Sequence, residues 1–177
     1  MRRAHKSELA NYMLHAYNHR MSIGIAHPVI RAVGSADFGQ ACTILVRFFA
    51  EEGFSTPAGT IAANLRAMIE DPFSWAAMAW VGDEPVGIAT ISTNRGVEFG
   101  LQGEIGDLYV VPAARGRGIA RALVDASLTW CRERGCASVQ VVITPEGQNA
   151  HDLMGFYNRL GFAPTGRTLV LREFERL

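Results

Sequence analysis

The sequence has few cysteines, no excess of charge of either sign and no long apolar run. Its 177 residues contain three cysteines, and these form neither a Cys-x-x-Cys pair nor a cluster with histidine, which argues against a zinc site. Lysine plus arginine and aspartate plus glutamate each number 17, so the net charge of +0 gives no electrostatic reason to expect a nucleic acid or membrane partner. No apolar run approaches the roughly 18 residues that a membrane-spanning helix needs.

The composition is that of an ordinary globular protein. Hydrophobic residues make up 49% of the chain and charged residues 19%, and the length suits one full domain. The odd cysteine count, with no apolar segment of a secretory signal after Arg2 and Arg3, predicts reduced thiols in the cytoplasm. Residues 1–27 are expected to form an N-terminal extension, helical or partly disordered, unless the native start is Met21. The folded domain is expected at residues 28–177.

Hydrophobic periodicity predicts an α/β arrangement for this domain. Three strands between residues 74 and 111 follow one another and are expected to pair antiparallel, with a hairpin turn at residues 82–85. Helices are predicted at about 35–53, 60–70, 119–134 and 150–161, and strands at 29–33, 74–81, 86–93, 104–111, 138–144 and 168–174.

The loop Arg115–Gly118 has a composition that calls for a chemical explanation. It places two arginines and two glycines at the start of a helix, where unpaired N–H groups carry a partial positive charge. Glycine lets a phosphate approach the backbone, and arginine adds charge and donors, so the loop predicts an anion site. It is not a Walker A loop, since no Gly-Lys-Ser/Thr follows, nor a dinucleotide fingerprint, since Arg121 replaces the third glycine. Considered alone, the loop is also compatible with a basic surface turn.

The residues around this loop resemble the acetyl-CoA-binding motif of the GNAT superfamily of N-acetyltransferases. Arg115, Gly118 and Ala120 occupy the three defining positions of Arg/Gln-x-x-Gly-x-Gly/Ala, and FYNRLGF at 156–162 resembles the family's closing Tyr-x-x-Leu-Gly-Phe. The resemblance covers about residues 29–174. It implies a GNAT-like α+β fold, with a mixed, mostly antiparallel sheet of six to seven strands that is splayed in the middle and flanked by about four helices.

The same resemblance implies acetyl-CoA as co-substrate, without a metal. Its pyrophosphate would lie on the N–H groups of residues 115–120, and its pantetheine arm would pair with the strand at 108–110. The implied cofactor-binding residues are Leu108, Tyr109, Val110, Arg115, Gly116, Arg117, Gly118, Ile119, Ala120 and Asn149. Asn149 departs from the pattern, because it precedes Tyr157 by eight residues instead of seven, and one residue turns a helical side chain by about 100°.

For catalysis, the resemblance implies a base for the amine and an acid for the thiolate. Glu104 lies eleven residues before Arg115, where several GNAT enzymes carry a catalytic glutamate, and is the expected base or water relay. Asp107 is its rival, although both can line one cleft only if a bulge separates them on the strand. Tyr157 resembles the tyrosine that protonates the departing CoA thiolate, and the oxyanion donor is expected to be a backbone N–H near Val110.

The sequence therefore predicts an N-acetyltransferase that acts on a small-molecule amine by direct attack in a ternary complex. Acetylation of protein N-termini or lysines and a non-catalytic acyl-CoA-binding module are the alternatives. Glu51 and Glu52, at a helix end, would form an acidic lip for a cationic amine, and EIGDLYV with FFAEEGF resembles aminoglycoside 3-N-acetyltransferases. The acceptor and the oligomeric state are left open, and a homodimer is compatible with the sequence.

Overall fold

The computed structural model describes residues 27–174. In this range the chain forms five strands and five α-helices, and a short 3-10 turn at Pro112–Ala114 follows the fourth strand. In chain order the elements are β1 (Val29–Ala32), α1 (Phe38–Glu51), α2 (Ala58–Glu70), β2 (Ser74–Val81), β3 (Glu84–Gly96), β4 (Gly100–Val110), α3 (Ile119–Glu133), β5 (Ser138–Val141), α4 (Pro145–His151) and α5 (Leu153–Asn158).

The strands form one mixed sheet in the order β1-β2-β3-β4-β5. The first four pair antiparallel, while β5 lies parallel to β4. β5 pairs only with residues 102–105 of β4, so within the described range residues 106–110 of β4 have no partner strand on that side. The predicted splay of the sheet is confirmed, and it leaves one backbone edge of β4 open directly before the Arg/Gly loop.

Apolar side chains cover both faces of the sheet, as the helical periodicity predicts. On one face α1 and α2 contribute buried residues at helical spacing, among them Ala41, Ile44 and Leu45 on α1 and Ile61 and Leu65 on α2. On the other face α3 contributes Ile119, Leu123, Val124, Trp130 and Cys131. The sheet is therefore the middle of three layers, and the open edge of β4 lies between the two helical layers.

A β-bulge changes the alternation of side chains along β4. The pairing runs from Ala89↔Leu108 to Ile91↔Ile105, so Thr90 on β3 faces two residues of β4. Ile105 packs with the α3 side, whereas Asp107, two residues later, lines a cavity under α1 and α2 together with Thr90. The extra residue thus brings Glu104 and Asp107 to the same face of the sheet. The bulge that both side chains would need in order to line one cleft is therefore present.

Three expectations for the elements are wrong. The described sheet has five strands rather than six to seven, because residues 168–174 form no strand and leave Leu169, Val170 and Leu171 exposed. β5 ends at Val141, before Thr144 caps α4 by accepting a hydrogen bond from Gly147 N–H. The helix expected at 150–161 is two helices, since Asp152 adopts a left-handed conformation (φ 48°) that stops α4. The described chain therefore has five helices, where about four were expected.

The N-terminal extension expected at residues 1–27, helical or partly disordered, lies outside the described residues except for His27, and the division at residue 28 stays a prediction. Within residues 27–174, no helix is long and apolar enough to cross a membrane.

Candidate active site

A cleft of about 680 Å³ follows the open edge of β4 into the N-terminus of α3. One wall consists of predicted cofactor-binding residues: Leu108, Tyr109, Val110, Arg115, Gly116, Gly118, Ile119 and Ala120. The opposite wall comes from α1, α4 and α5 and includes Phe48, Glu52, His151, Leu153 and Phe156. The structure thus brings eight of the ten predicted cofactor-binding residues together in one cleft.

The other two predicted cofactor-binding residues lie elsewhere. Asn149 is exposed on α4 and does not line the cleft, in line with the shifted spacing in the sequence. Arg117 is exposed at the tip of the loop and is not part of the cleft wall either.

The loop before α3 is shaped to receive an anion. Gly116 (φ 75°) and Gly118 (φ 78°) have left-handed backbones that favour glycine, and Gly118 is the N-cap of α3, which no side chain caps. Within the described residues, the N–H groups of residues 116–120 donate no hydrogen bond to other protein groups. Nothing lies within 4 Å of the position that a Cβ of Gly118 would take, so the approach is open. A row of free donors at the positive end of a helix fits a pyrophosphate.

The Arg115 side chain does not point freely into this loop. Its Nε donates to the Val110 carbonyl (2.9 Å), and its Nη2 pairs with the Glu51 carboxylate at the end of α1. The Tyr109 hydroxyl donates to the other Glu51 oxygen (2.7 Å). The Tyr109 hydroxyl, followed by Arg115, lowers the pKa of the Glu51 carboxyl below its ordinary value. Glu51 therefore ties α1 to the loop rather than serving as the expected acidic lip.

The second glutamate of the expected lip is also occupied. Glu52 Oε1 lies 3.2 Å from His151 Nε2, where the end of α1 meets the end of α4 within the same wall of the cleft. The contact thus links the two helices that form this wall.

Arg115→Ala is expected to loosen the loop. The free energy of unfolding of the variant should be about 1–2 kcal/mol lower than that of the wild type, because a charge-assisted pair is lost at a half-exposed position. The variant should also bind CoA about 5- to 10-fold more weakly. Thermal unfolding and calorimetric titration with CoA measure the two effects. Arg132→Ala, at an exposed position in the last turn of α3, is the control for loss of charge. Unchanged stability together with unchanged CoA affinity would contradict the role assigned to Arg115.

The two candidate bases share a face of the sheet but have different surroundings. Glu104 is half-buried at the fork between β4 and β5, where its carboxylate accepts a hydrogen bond from Gln140 Nε2 (2.7 Å). Asp107 accepts a hydrogen bond from Thr90 Oγ1 (2.6 Å), and its N–H donates to the same oxygen (2.9 Å). Burial raises the pKa of the Asp107 carboxyl, against the opposing effect of the Thr90 hydroxyl.

Asp107 lines a second, smaller cavity of about 240 Å³ under α1 and α2, called here the Asp107 cavity. Its walls are largely apolar, and its remaining polar residues are threonine and asparagine. The apolar lining residues are Leu45, Phe49, Ile61, Leu65 and Met68, and the uncharged polar ones are Thr56, Asn64 and Thr90. Sequence reasoning named Asp107 but not this cavity, because its walls come from two helices distant in sequence from β4.

Tyr157 is buried on α5. The rings of Phe156 and Phe162 pack edge-on against its ring, with centroid-to-centroid distances of 5.0 and 5.2 Å. Burial raises the pKa of its hydroxyl to about 12, so the phenol is protonated at neutral pH. It lines a third cavity, of about 580 Å³ beside β5, whereas its neighbour Phe156 lines the cleft. The expected acid is therefore close to the cleft but not on its wall.

Comparison with known proteins agrees with this geometry. The profile of the acetyltransferase (GNAT) family matches residues 40–162, so the chain belongs to that family. Among curated proteins, it is 27% identical to aminoglycoside N(6′)-acetyltransferase type 1 of Klebsiella aerogenes over 135 residues, which are 73% of this chain and 89% of that one. It is 33% identical over 84 residues to an uncharacterized N-acetyltransferase of Methanocaldococcus jannaschii, covering 46% of this chain and 36% of that protein.

Other similarities are shorter or concern the fold. A mycothiol acetyltransferase of Rhodococcus erythropolis is 44% identical over 62 residues, 33% of this chain and 20% of that protein. The chain thus spans about a third or less of the length of these last two relatives. The solved structure of AAC(6′)-Iy with a bisubstrate analogue superimposes with a TM-score of 0.72 at 19% identity, covering 84% of this chain and 99% of that one. This likeness shows the fold.

Proposed function

We propose that this protein is an N-acetyltransferase that moves the acetyl group of acetyl-CoA to a primary amine of a small molecule, by direct attack in a ternary complex. The observation that carries the proposal is the row of free N–H groups at residues 116–120, placed directly beyond the open edge of β4. Curated relatives named for aminoglycosides and for mycothiol support a small-molecule acceptor. In the overall reaction a C–N bond forms and a C–S bond breaks. An ammonium and acetyl-CoA give an amide, free CoA and one proton.

The chain divides the binding of acetyl-CoA between loop and strand. The N–H groups of residues 116–120 would hold the pyrophosphate, and the free edge of β4 at residues 108–110 would pair with the pantetheine amides as an added strand does. Acetyl-CoA supplies the thioester carbonyl that the amine attacks. Bound in this way, the thioester would lie near the fork between β4 and β5, close to Glu104.

An amine acceptor needs help with its proton. An alkylamine with a pKa near 10.4 is less than about 0.1% neutral at pH 7, a deficit of about 4–5 kcal/mol. Glu104 can take this proton directly or through water, because its carboxylate sits at the fork and Gln140 orients it. Tyr157, protonated and next to a residue of the cleft wall, is our candidate for delivering a proton to the departing thiolate.

Glu104→Gln tests the proton-acceptor role. The variant keeps a side-chain oxygen for the hydrogen bond from Gln140 but loses the base, so kcat/KM should fall about 10²-fold at pH 7. Raising the pH supplies neutral amine and should recover part of the rate. The measurement is a pH profile of CoA release with a thiol reagent, and Glu98→Gln, an exposed glutamate between β3 and β4, is the control. A Glu104→Gln enzyme with wild-type rate at pH 7 would move the role to Asp107 or to solvent.

We also propose that the protein works in the cytoplasm. Cys42, Cys131 and Cys136 are free thiols, as is usual in a reducing compartment.

The first test of the function needs no variant. Calorimetry should show that the protein binds acetyl-CoA, and a panel of primary amines should contain acceptors that release free CoA. Binding of acetyl-CoA without release by any amine of the panel would contradict the proposed transfer.

A further inference from the structure

The Asp107 cavity holds a carboxylate that lacks a cationic partner. Within the described residues, Asp107 takes part in no salt bridge, and its Oδ1 atom accepts no hydrogen bond, since Thr90 donates to Oδ2. No other charged side chain of the described chain lines the cavity. A carboxylate in such surroundings is costly unless a cation joins it. The cavity is thus short of one positive charge.

We propose that this cavity binds the acceptor, and that the acceptor is a primary amine on a single aliphatic arm. The ammonium lies against Asp107 Oδ1, and the arm runs along the apolar side chains of α1 and α2. This inference rests on the proposed function and names its substrate class. Asp107 is the residue that binds the ammonium, while Glu104 receives the proton that the amine loses before attack.

The position of the cavity suits an acceptor site. Asp107 lines the cavity, and Tyr109, two residues later on the same face of β4, lines the cofactor cleft. The adjacent residues Phe49 and Phe48 of α1 also line one space each, so the two spaces are neighbours on the α1 side of β4. The bulge at Thr90 turns Asp107 to the face that also carries Glu104. An ammonium held by Asp107 is therefore on the same side of the sheet as the proton acceptor and beside the open edge of β4.

The size and lining of the cavity select the kind of amine. A cavity of about 150 Å³ holds benzene, so 240 Å³ accommodates about ten non-hydrogen atoms, which suits one arm of a molecule. Five apolar side chains line it, among them Phe49 and Met68, and each methylene that they cover should raise affinity about fourfold.

Charge argues against a polycationic acceptor. An aminoglycoside or polyamine would bring several positive charges to a cavity with one carboxylate. The two glutamates at the C-terminal end of α1 already have partners, Glu51 in Arg115 and Tyr109, and Glu52 in His151. In this respect the chain differs from what the name of its aminoglycoside-acetylating relative would suggest.

The experiment compares amines and variants in the same assay of CoA release. Butylamine, hexylamine and octylamine represent single aliphatic arms, and spermidine and kanamycin represent polycations. We expect hexylamine to exceed both polycations at least 10-fold in kcat/KM.

Asp107→Asn should raise the KM for hexylamine at least 30-fold, with a much smaller change in kcat and unchanged affinity for CoA. Asp83→Asn, the same substitution in the exposed turn between β2 and β3, is the matched control. Met68→Ala, which lengthens the cavity, should shift the preference towards octylamine.

Stability provides a second readout that separates binding from structure. Because the pKa of Asp107 is raised in the fold, the native state favours its protonated form, and the group's contribution to stability declines as the pH rises through that pKa. An asparagine at position 107 does not ionise, so the variant does not lose stability in this way as the pH rises. Its side-chain oxygen can still accept the hydrogen bond from Thr90. Asp107→Asn should therefore melt above the wild type at pH 8 without ligand, and the difference should shrink towards pH 4. If Asp107 had only a structural role, Asp107→Asn should instead melt below the wild type.

The outcomes distinguish this inference from the function on which it rests. A preference for spermidine or kanamycin, or an Asp107→Asn enzyme within twofold of the wild-type KM, would overturn the aliphatic-amine site while leaving acetyl transfer intact. Absence of CoA release with any amine, despite binding of acetyl-CoA, would overturn both.

Discussion

Gly118→Asp is expected to weaken the binding of CoA about 10³-fold while leaving the protein folded. The substitution places a carboxylate at the N-cap of α3, where the free N–H groups of the loop would hold a pyrophosphate. Losing two charge-assisted hydrogen bonds costs about 4 kcal/mol, which corresponds to this factor. The fold should tolerate the change, since nothing lies within 4 Å of the new Cβ and aspartate accepts a left-handed backbone better than most residues. Calorimetric titration with CoA and thermal unfolding measure the two effects.

Gly118→Asn separates charge from shape. It has nearly the same size and backbone strain as Gly118→Asp but no negative charge, so it should lose much less affinity. Pantetheine, which lacks the pyrophosphate, should bind the wild type and both variants about equally. If Gly118→Asp binds CoA as the wild type does, the loop is not the pyrophosphate site.

Tyr157→Phe is expected to lower kcat by 10- to 10³-fold with little change in stability or in affinity for CoA. The ring keeps its contacts with Phe156 and Phe162, while the phenol that would supply the proton is lost. The loss should appear in both kcat and kcat/KM, because the proton is needed only as the C–S bond breaks. It should shrink with an acetyl donor whose thiol is more acidic, since that thiolate needs less help.

The raised pKa of Tyr157 limits how this residue can act. At about 12, against about 8.5 for an ordinary thiol, the phenol is the weaker acid. We therefore expect Tyr157 to act by hydrogen bonding to the thiolate as the C–S bond breaks, rather than by transferring its proton to a thiolate that is already free.

Tyr109→Phe is the matched comparison for Tyr157→Phe. It removes a hydroxyl that donates to Glu51 and should lower stability, by about 1.5–3 kcal/mol, whereas Tyr157→Phe should not. A Tyr157→Phe enzyme as fast as the wild type would make Tyr157 a packing residue and solvent the proton source.

Features local in sequence could be predicted, and contacts between distant segments could not. The left-handed glycines and the helix start that shape the loop lie within six residues, so composition was enough to indicate an anion site. Glu51 meets Tyr109 and Arg115 across 58 and 64 residues, and no local pattern indicates that pairing. The acidic lip was expected from charge alone. The structure instead pairs Glu51 with Arg115 and places Glu52 within hydrogen-bond distance of His151, and both contacts join segments distant in sequence.

The strand errors have a related cause. Residues 168–174 have the apolar content of a strand, but a strand also needs a partner, and none pairs with this segment in the described structure. The break at Asp152 depends on one left-handed residue, which helical periodicity cannot reveal. By contrast, the need for a bulge between Glu104 and Asp107 followed from alternation alone, and the structure has that bulge.

The central claim, acetyl transfer at the cleft between β4 and α3, is tested most directly by following both products at once. The protein is incubated with acetyl-CoA and hexylamine, free CoA is measured with a thiol reagent, and the amine is analysed by mass spectrometry. We predict equal amounts of free CoA and N-acetylhexylamine, with Gly118→Asp producing neither at the same acetyl-CoA concentration. Tight binding of acetyl-CoA with an unmodified amine, across the whole amine panel, would contradict the claim and leave a module that binds acyl-CoA without turnover.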